Sequence, residues 1–370
     1  MKKSVSIIIP GLLMISHILN PALAQDKITG EGYNFTIIKD LPATFIKNQS
    51  LTNTCWSFSV ISMLESELLR MGKDTFDLSE MYVVRHIYEE KAEKYIRMHG
   101  TINFAGGGFF HDVIHVLDSL GMVPDEVYTG LVKGEKIHFH EQMDDTLKKY
   151  VEKIVVDRNN KDTSDWKDGF TEILDSCLGV LPKSFAFENV NYTPELFASG
   201  LNLDLDDYVE ITSFNHHPFY QKFILEVPDN WAWGDFFNVP LDELIEIISY
   251  SVDNGYTVAW SADISEKGFL WNKGVAIVPD VPEKKITQSL RQEGFDNYAT
   301  TDDHGMQITG LAIDNKGNKY FRVKNSWGVS GSPYNGYLYA SEPYVRYKTI
   351  AIMVNKNGIP DYIRQKLHLN

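Results

Sequence analysis

Two parts of this chain, far apart in sequence, carry groups that can work only if the fold brings them together. The first is Asn48-Gln49-Ser50-Leu51-Thr52-Asn53-Thr54-Cys55-Trp56-Ser57-Phe58-Ser59, which holds one of two cysteines in 370 residues. From Val60 to Arg70 apolar and polar side chains alternate at helical spacing, so Cys55 is expected at or just inside the N-terminus of a helix buried on one side. There the helix dipole and unpaired N–H groups favour a thiolate and lower a thiol pKa from about 8.5. A nucleophilic thiolate needs a base, and the base needs an orienting group. His304 lies 249 positions after Cys55, at the head of an apolar, strand-like run to Gly310. Phe321-Arg322-Val323-Lys324-Asn325-Ser326-Trp327-Gly328 follows a turn at Asp314 to Gly317, and the two runs predict a hairpin with His304 near one end.

The order Cys-Trp, then His, then Asn-Ser-Trp-Gly resembles the papain-like cysteine peptidases. Leu78-Ser79-Glu80, Gly106-Gly107-Gly108-Phe109-Phe110-His111-Asp112, Gly121-Met122-Val123-Pro124 and Glu226-Val227-Pro228-Asp229-Asn230-Trp231 place the resemblance in the bleomycin hydrolase and aminopeptidase C branch. It covers most of the chain, from Asn34 to Asn357. It implies an α+β, papain-like two-lobe fold: a helical lobe and an antiparallel β-barrel-like lobe, with the site in the cleft between them. It also implies the roles. Cys55 attacks a peptide carbonyl; His304 holds the thiolate as an ion pair and protonates the leaving amine; Asn325 fixes the imidazole. Gln49 and the Cys55 N–H stabilise the oxyanion, Trp327 shields the His–Asn bond, and Trp56 supports the site. Gly107 and Gly108 pair with substrate main chain, and Phe109 lines the pocket for the substrate's second residue. The other reading of Gly106 to Gly108 is a plain turn.

The Cys-to-His spacing exceeds the roughly 130–150 of the papain and cathepsin pattern by about a hundred residues. Residues 131–285 are therefore read as an inserted, branch-specific region within one peptidase domain, 25–370. In it, helices are expected at Gln142–Val156, Ser164–Leu178 and Leu241–Asn254, and a strand at Tyr256–Ile264. Outside it, helices are expected at Ser79–Met98 and His111–Leu120.

Lys2 and Lys3, the mostly apolar run Val5 to Leu19, and Ala22-Leu23-Ala24 before Gln25 read as a signal peptide over residues 1–24. The expected location is the periplasm or the medium of a double-membrane bacterium, with no membrane association after cleavage. An exported chain with only Cys55 and Cys177 is expected to rely on core size instead of disulfides, with Cys177 a small buried hydrophobe. A net charge of −15 without a basic run argues against nucleic acid as a partner. No metal or other cofactor is expected: His111 and His115, four apart, lack a third ligand, and His138/His140 and His216/His217 are equally isolated.

The expected partners are peptide substrates and, by resemblance, further copies of the chain in a hexamer. In this branch aminopeptidase behaviour comes from a C-terminal arm that blocks the unprimed side of the cleft and meets the substrate's free amine. Ile359 to Leu367 resembles the helix before that arm, and the sequence stops at Asn370. Family resemblance favours an aminopeptidase; a short arm favours an open cleft and an endopeptidase. A catalytically idle peptide-binding protein is the alternative from another class.

Overall fold

The computed structural model describes residues 27–30, 33–132, 134–157, 166–278 and 286–369; residues 1–24, read above as a signal peptide, lie outside them. Helices are α1 Cys55–Arg70, α2 Glu80–Arg97, α3 Phe110–Ser119, α4 Glu141–Val156, α5 Trp166–Leu178, α6 Pro194–Leu201, α7 Leu241–Asp253, α8 Gln288–Asp296, α9 Glu342–Lys348 and α10 Asp361–Lys366. Strands are β1 Lys27–Gly30, β2 Tyr33–Asp40, β3 Phe185–Phe187, β4 Val190–Tyr192, β5 Tyr208–Thr212, β6 Lys222–Ile224, β7 Asp235–Asn238, β8 Val258–Ala262, β9 Phe269–Leu270, β10 Val275–Ala276, β11 His304–Asp314, β12 Lys319–Lys324, β13 Tyr337–Ser341 and β14 Thr349–Asn355.

The fold is α+β. One large, mostly antiparallel sheet runs in the order β6-β7-β5-β14-β8-β11-β12-β13-β10-β9. Strand β11 is its axis. Residues His304 to Ile308 pair with β8, Gly310 to Asp314 pair with β2, and the other edge carries β12. The change of neighbour falls at Thr309, whose carbonyl takes the Leu41 N–H at 2.9 Å. Strands β5 to β8 come from the stretch read as inserted and are hydrogen-bonded members of this sheet. Pro343-Tyr344-Val345 forms part of α9.

The apolar core has two main parts. One lies among α1 to α6, with Val60, Leu64, Met81, Val84, Val113, Leu147 and Leu174 all buried. The other lies between the sheet and α7, α9 and α10, around Leu244, Ile248, Trp260, Ile308 and Ile352.

Helix α1 departs from its one-sided pattern: every residue from Trp56 to Leu68 is buried. It runs between the other helices and the sheet, so its polar side chains meet protein groups where water was expected. Ser62 Oγ donates to Gln307 Oε1 at 2.7 Å. Gln307 Nε2 in turn reaches Ser62 O, Ser66 Oγ and Thr257 Oγ1 at 2.8–3.1 Å. Lys324 Nζ donates to Ser62 Oγ at 2.6 Å and Thr44 Oγ1 at 3.0 Å. Glu65 accepts from Thr44 Oγ1 at 2.5 Å and from the Leu78 N–H at 2.9 Å. Buried polar groups must be paired, and here the pairing ties the two lobes together.

Candidate active site

Cys55 is the first residue of α1, so its own N–H has no intrahelical acceptor. The N-cap, Thr54, makes no side-chain cap hydrogen bond. Its hydroxyl is 2.6 Å from that of Thr52. Behind Cys55 the helix is wedged against β11. A Cβ on Gly305 would sit 2.9 Å from Ser59 Oγ and 3.1 Å from Cys55 O, so only glycine lets the strand approach this far. The Gly305 and Trp56 N–H groups favour the anionic form of the sulfur.

The hairpin expectation holds, with β11 and β12 paired antiparallel. It brings His304 Nε2 to 2.7 Å from Asn325 Oδ1. The same oxygen accepts the Ser326 N–H at 2.8 Å. A backbone N–H can only donate, so the shared atom is the amide oxygen, and His304 carries its proton on Nε2. Nδ1 is then the basic nitrogen of the neutral ring. Trp327 lies against the imidazole at 4.8 Å between ring centroids. Trp271 at 5.3 Å and Phe269 at 6.0 Å from Trp327 extend this aromatic wall.

Gln49 is buried and tied to the same segment. Its Oε1 accepts from Ser326 Oγ at 2.6 Å, and its N–H donates to Ser326 O at 2.9 Å. One N–H of its amide goes to Thr52 O at 2.9 Å. The second has no hydrogen-bond partner among the described residues and is the donor an oxyanion can use.

The surroundings of each group work against the charge it would carry in the expected ion pair. Close packing pushes the Cys55 thiol up to about 12, the negative charges of Asp302 and Asp229 push the same way, and the Gly305 and Trp56 N–H groups only partly offset it. Burial drives His304 down to about 4, against the help of Asn325. Each group alone prefers to be neutral, because desolvation outweighs the helix-terminus effect. Gly305, the neighbour of His304 on β11, packs against the Cys55 carbonyl, so the strand that carries the base starts at the helix end that carries the thiol.

Gly106 to Gly108 is more than a plain turn. Trp56 Nε1 donates to Gly106 O at 3.1 Å. A Cβ on Gly108 would lie 2.8 Å from both Asp112 Oδ2 and the Trp56 ring. One on Gly107 would run into the Asp229 carboxylate. Phe109 does not line an open pocket. It is 2 % exposed and packed against Phe110 and Phe236, because β7 supplies a ring that covers it. Cys177 is half-buried on α5 and, like Cys55, is a free thiol.

His111 pairs with Glu210 at 2.8 Å and His115 with Glu90 at 3.0 Å, so neither faces the other as a metal ligand. Among the described residues, His216, His217 and Glu226 are near enough together to hold an ion. Both imidazoles already hydrogen-bond the Glu226 carboxylate, at 3.1 and 2.8 Å.

The model of the Peptidase C1-like family matches residues 17–370. The chain belongs to that family. It is 22 % identical to Aminopeptidase C of Listeria innocua, with 84 % of this chain and 80 % of that protein covered. It is 23 % identical to Aminopeptidase G of Lactobacillus delbrueckii subsp. lactis, covering 86 % and 82 %. Aminopeptidase W of the same organism is 22 % identical over 95 % of this chain and 88 % of its own length. The crystal structure of PepW from Lactobacillus rhamnosis HN001 superimposes with a TM-score of 0.72 at 18 % identity, covering 90 % of this chain and 84 % of that one. That likeness is one of fold.

Within this C1-like site, motif reading missed four side chains. Ser326, inside Asn-Ser-Trp-Gly, orients Gln49. Phe269 and Trp271, outside any motif, build the wall behind Trp327. Asp302 stands two residues before His304 and takes the Ser261 hydroxyl at 2.6 Å. The acidic run Asp302-Asp303 before the histidine was a visible signal for the last of these; Phe269 and Trp271 had none.

Proposed function

We propose that the chain is a cysteine peptidase that removes residues from peptides with a free N-terminus, acting through an acyl-enzyme on Cys55. The observation that carries this is the Ser326–Asn325–His304 arrangement, which leaves His304 Nδ1 as a base in a ring held by β11 and β12. The names of the relatives, aminopeptidases C, G and W, support the exopeptidase part.

His304 Nδ1 takes the thiol proton as Cys55 Sγ attacks the carbonyl carbon. The oxyanion forms against the Cys55 N–H and the second N–H of Gln49. His304 then gives that proton to the leaving amine, and a thioester remains. Water, deprotonated by His304, splits the thioester and restores the thiol. Proton transfer to His304 costs less as the two charges form together, since each stabilises the other.

The test uses two fluorogenic peptides of one sequence, one with a free amine and one acetylated, with wild type and Cys55→Ala under mild reductant. Cleavage of the free peptide, lost in Cys55→Ala, is expected. Cleavage mainly of the acetylated peptide would make the enzyme an endopeptidase with an open cleft. Peptide binding without Cys55-dependent cleavage would make it a binding protein.

The peptidase is further read as exported, on the strength of Lys2-Lys3, the apolar run and Ala22-Leu23-Ala24. Mass spectrometry of the cell-derived protein should find Gln25 as its first residue; retention of the preceding residues would overturn this reading.

A further inference from the structure

Asp229 has no part in the chemistry above, yet it stands beside the loop expected to hold substrate. It lies in Glu226–Trp231, between β6 and β7, and that segment is fixed in place. Asn230 Nδ2 donates to Leu225 O and Gly234 O, both at 2.9 Å, and Asn230 Oδ1 takes the Gly234 N–H at 2.8 Å. Trp231 Nε1 donates to Asp112 Oδ2 at 2.9 Å, the oxygen that also accepts the Phe109 N–H at 2.9 Å. The Phe109 end of the Gly107-Gly108 stretch and the Asp229 turn are thus pinned to one carboxylate. The result sets the Asp229 carboxylate against Gly107, where any side chain would collide with it.

Asp229 is only partly exposed. Asn103 Nδ2 donates to its Oδ1 at 3.0 Å, and among the described residues no hydrogen bond reaches Oδ2. Lys91 is the cation whose charge acts on it, but Lys91 Nζ donates to the carbonyls of Ala105 and Gly107. Asp112 and Asp302 add negative charge nearby. A rigid carboxylate with one open oxygen, in an acidic setting beside a main-chain-binding loop, suits an ammonium: three N–H donors and a positive charge.

We propose that Asp229 is the specificity residue for a free N-terminus, its Oδ2 receiving the α-ammonium of a peptide laid along Gly107. The inference rests on the peptidase reading and names the group that would enforce its exopeptidase character. It also couples binding to chemistry. Burial holds the Asp229 carboxyl above its usual range, and its charge is one of those that raise the Cys55 thiol. An ammonium at Asp229 stabilises the carboxylate and offsets that charge, so a free-amine peptide makes the thiolate easier to form than an acetylated one does.

The test is the ratio of kcat/KM for the free peptide to that for its acetylated twin, in wild type and Asp229→Asn. Asparagine keeps the shape and an oxygen for Asn103. Loss of a hydrogen bond between two charged groups should lower the ratio by about 10- to 100-fold. In wild type the ratio should fall as pH rises through about 8, where a peptide's α-amine loses its charge. That fall should be absent in Asp229→Asn. An unchanged ratio in the variant, or an equal loss on both peptides, overturns the assignment. Should the variant not fold, the wild-type profile decides, and a flat ratio between pH 6 and 9 overturns it. Absence of Cys55-dependent cleavage in wild type fails the peptidase reading itself, and this inference with it.

Discussion

His304 and Asn325 face each other across the β11–β12 hairpin, Nε2 to Oδ1 at 2.7 Å, and the Ser326 N–H fixes which atom of the amide does the accepting. The contact sets both the tautomer and the direction of the ring. Asn325→Ala is expected to lower kcat by about 10- to 100-fold with little change in KM, as loss of one orienting hydrogen bond of about 1.5–3 kcal/mol to a ring that becomes charged. Steady-state kinetics on a free-amine peptide measures it. An equal effect on KM alone would place Asn325 in binding.

The acid limb of activity follows from His304, which burial holds down to about 4. The ring must be neutral to accept the thiol proton, and it is neutral above its pKa. Activity should therefore persist through mildly acidic pH and fall as pH drops through about 4. A kcat/KM profile on a substrate whose own charge is constant there would read it; an acid limb at the unperturbed histidine value of about 6.5 would contradict it.

Asp302 gives the opposite limb. Burial and the charge of Asp229 raise its carboxyl to about 7, so it is neutral below that pH and anionic above. The anion disfavours the Cys55 thiolate. Asp302→Asn should leave the iodoacetamide alkylation rate of Cys55 unaltered at pH 6 and raise it about 3- to 10-fold at pH 8, equivalent to about 0.5–1 pKa unit. No difference between the two pH values would show that Asp302 does not act on the thiol.

Gln49 combines two jobs, and its replacement should separate them. Gln49→Ala removes an oxyanion donor and is expected to cost about 10²–10³ in kcat. It also deprives Ser326 Oγ of its 2.6 Å acceptor, so the melting temperature should drop as well. Gln49→Glu retains an acceptor for Ser326 but no donor, and should restore most of the stability with none of the rate.

The polar seam between α1 and the sheet makes a stability prediction. Gln307 is 1 % exposed and takes part in four hydrogen bonds, with Ser62 Oγ, Ser62 O, Ser66 Oγ and Thr257 Oγ1. Gln307→Leu keeps the bulk and strands those partners, so it should destabilise by about 2–4 kcal/mol. Denaturant midpoints for Gln307→Leu and wild type test this; a change under 1 kcal/mol would mean water replaces the lost partner.

Much of the architecture was legible. Helix Glu80–Arg97, expected at Ser79–Met98, and helix Leu241–Asp253, expected at Leu241–Asn254, follow their apolar periods to within a residue or two. The β11–β12 hairpin carries its turn where Asp314 to Gly317 predicted it. These are local properties, written in neighbouring side chains. The burial of α1 on every face was not legible, because Ser62, Glu65 and Ser66 look like a solvated face until Gln307, Lys324 and Thr44 are placed against them. Phe109 misled for the same reason: the ring that covers it, Phe236, is more than a hundred residues away.

By itself the sequence determined which reactive groups this protein has, their order, and the helix end and hairpin that present them, since caps, turns and periodicity act over a few residues. Only the tertiary structure decided what those groups experience. The burial that opposes charge on Cys55 and on His304, the wall of Phe269 and Trp271, and the placing of Asp229 against Gly107 all depend on residues distant in the chain. Those forces act through space, and no spacing along the chain encodes them.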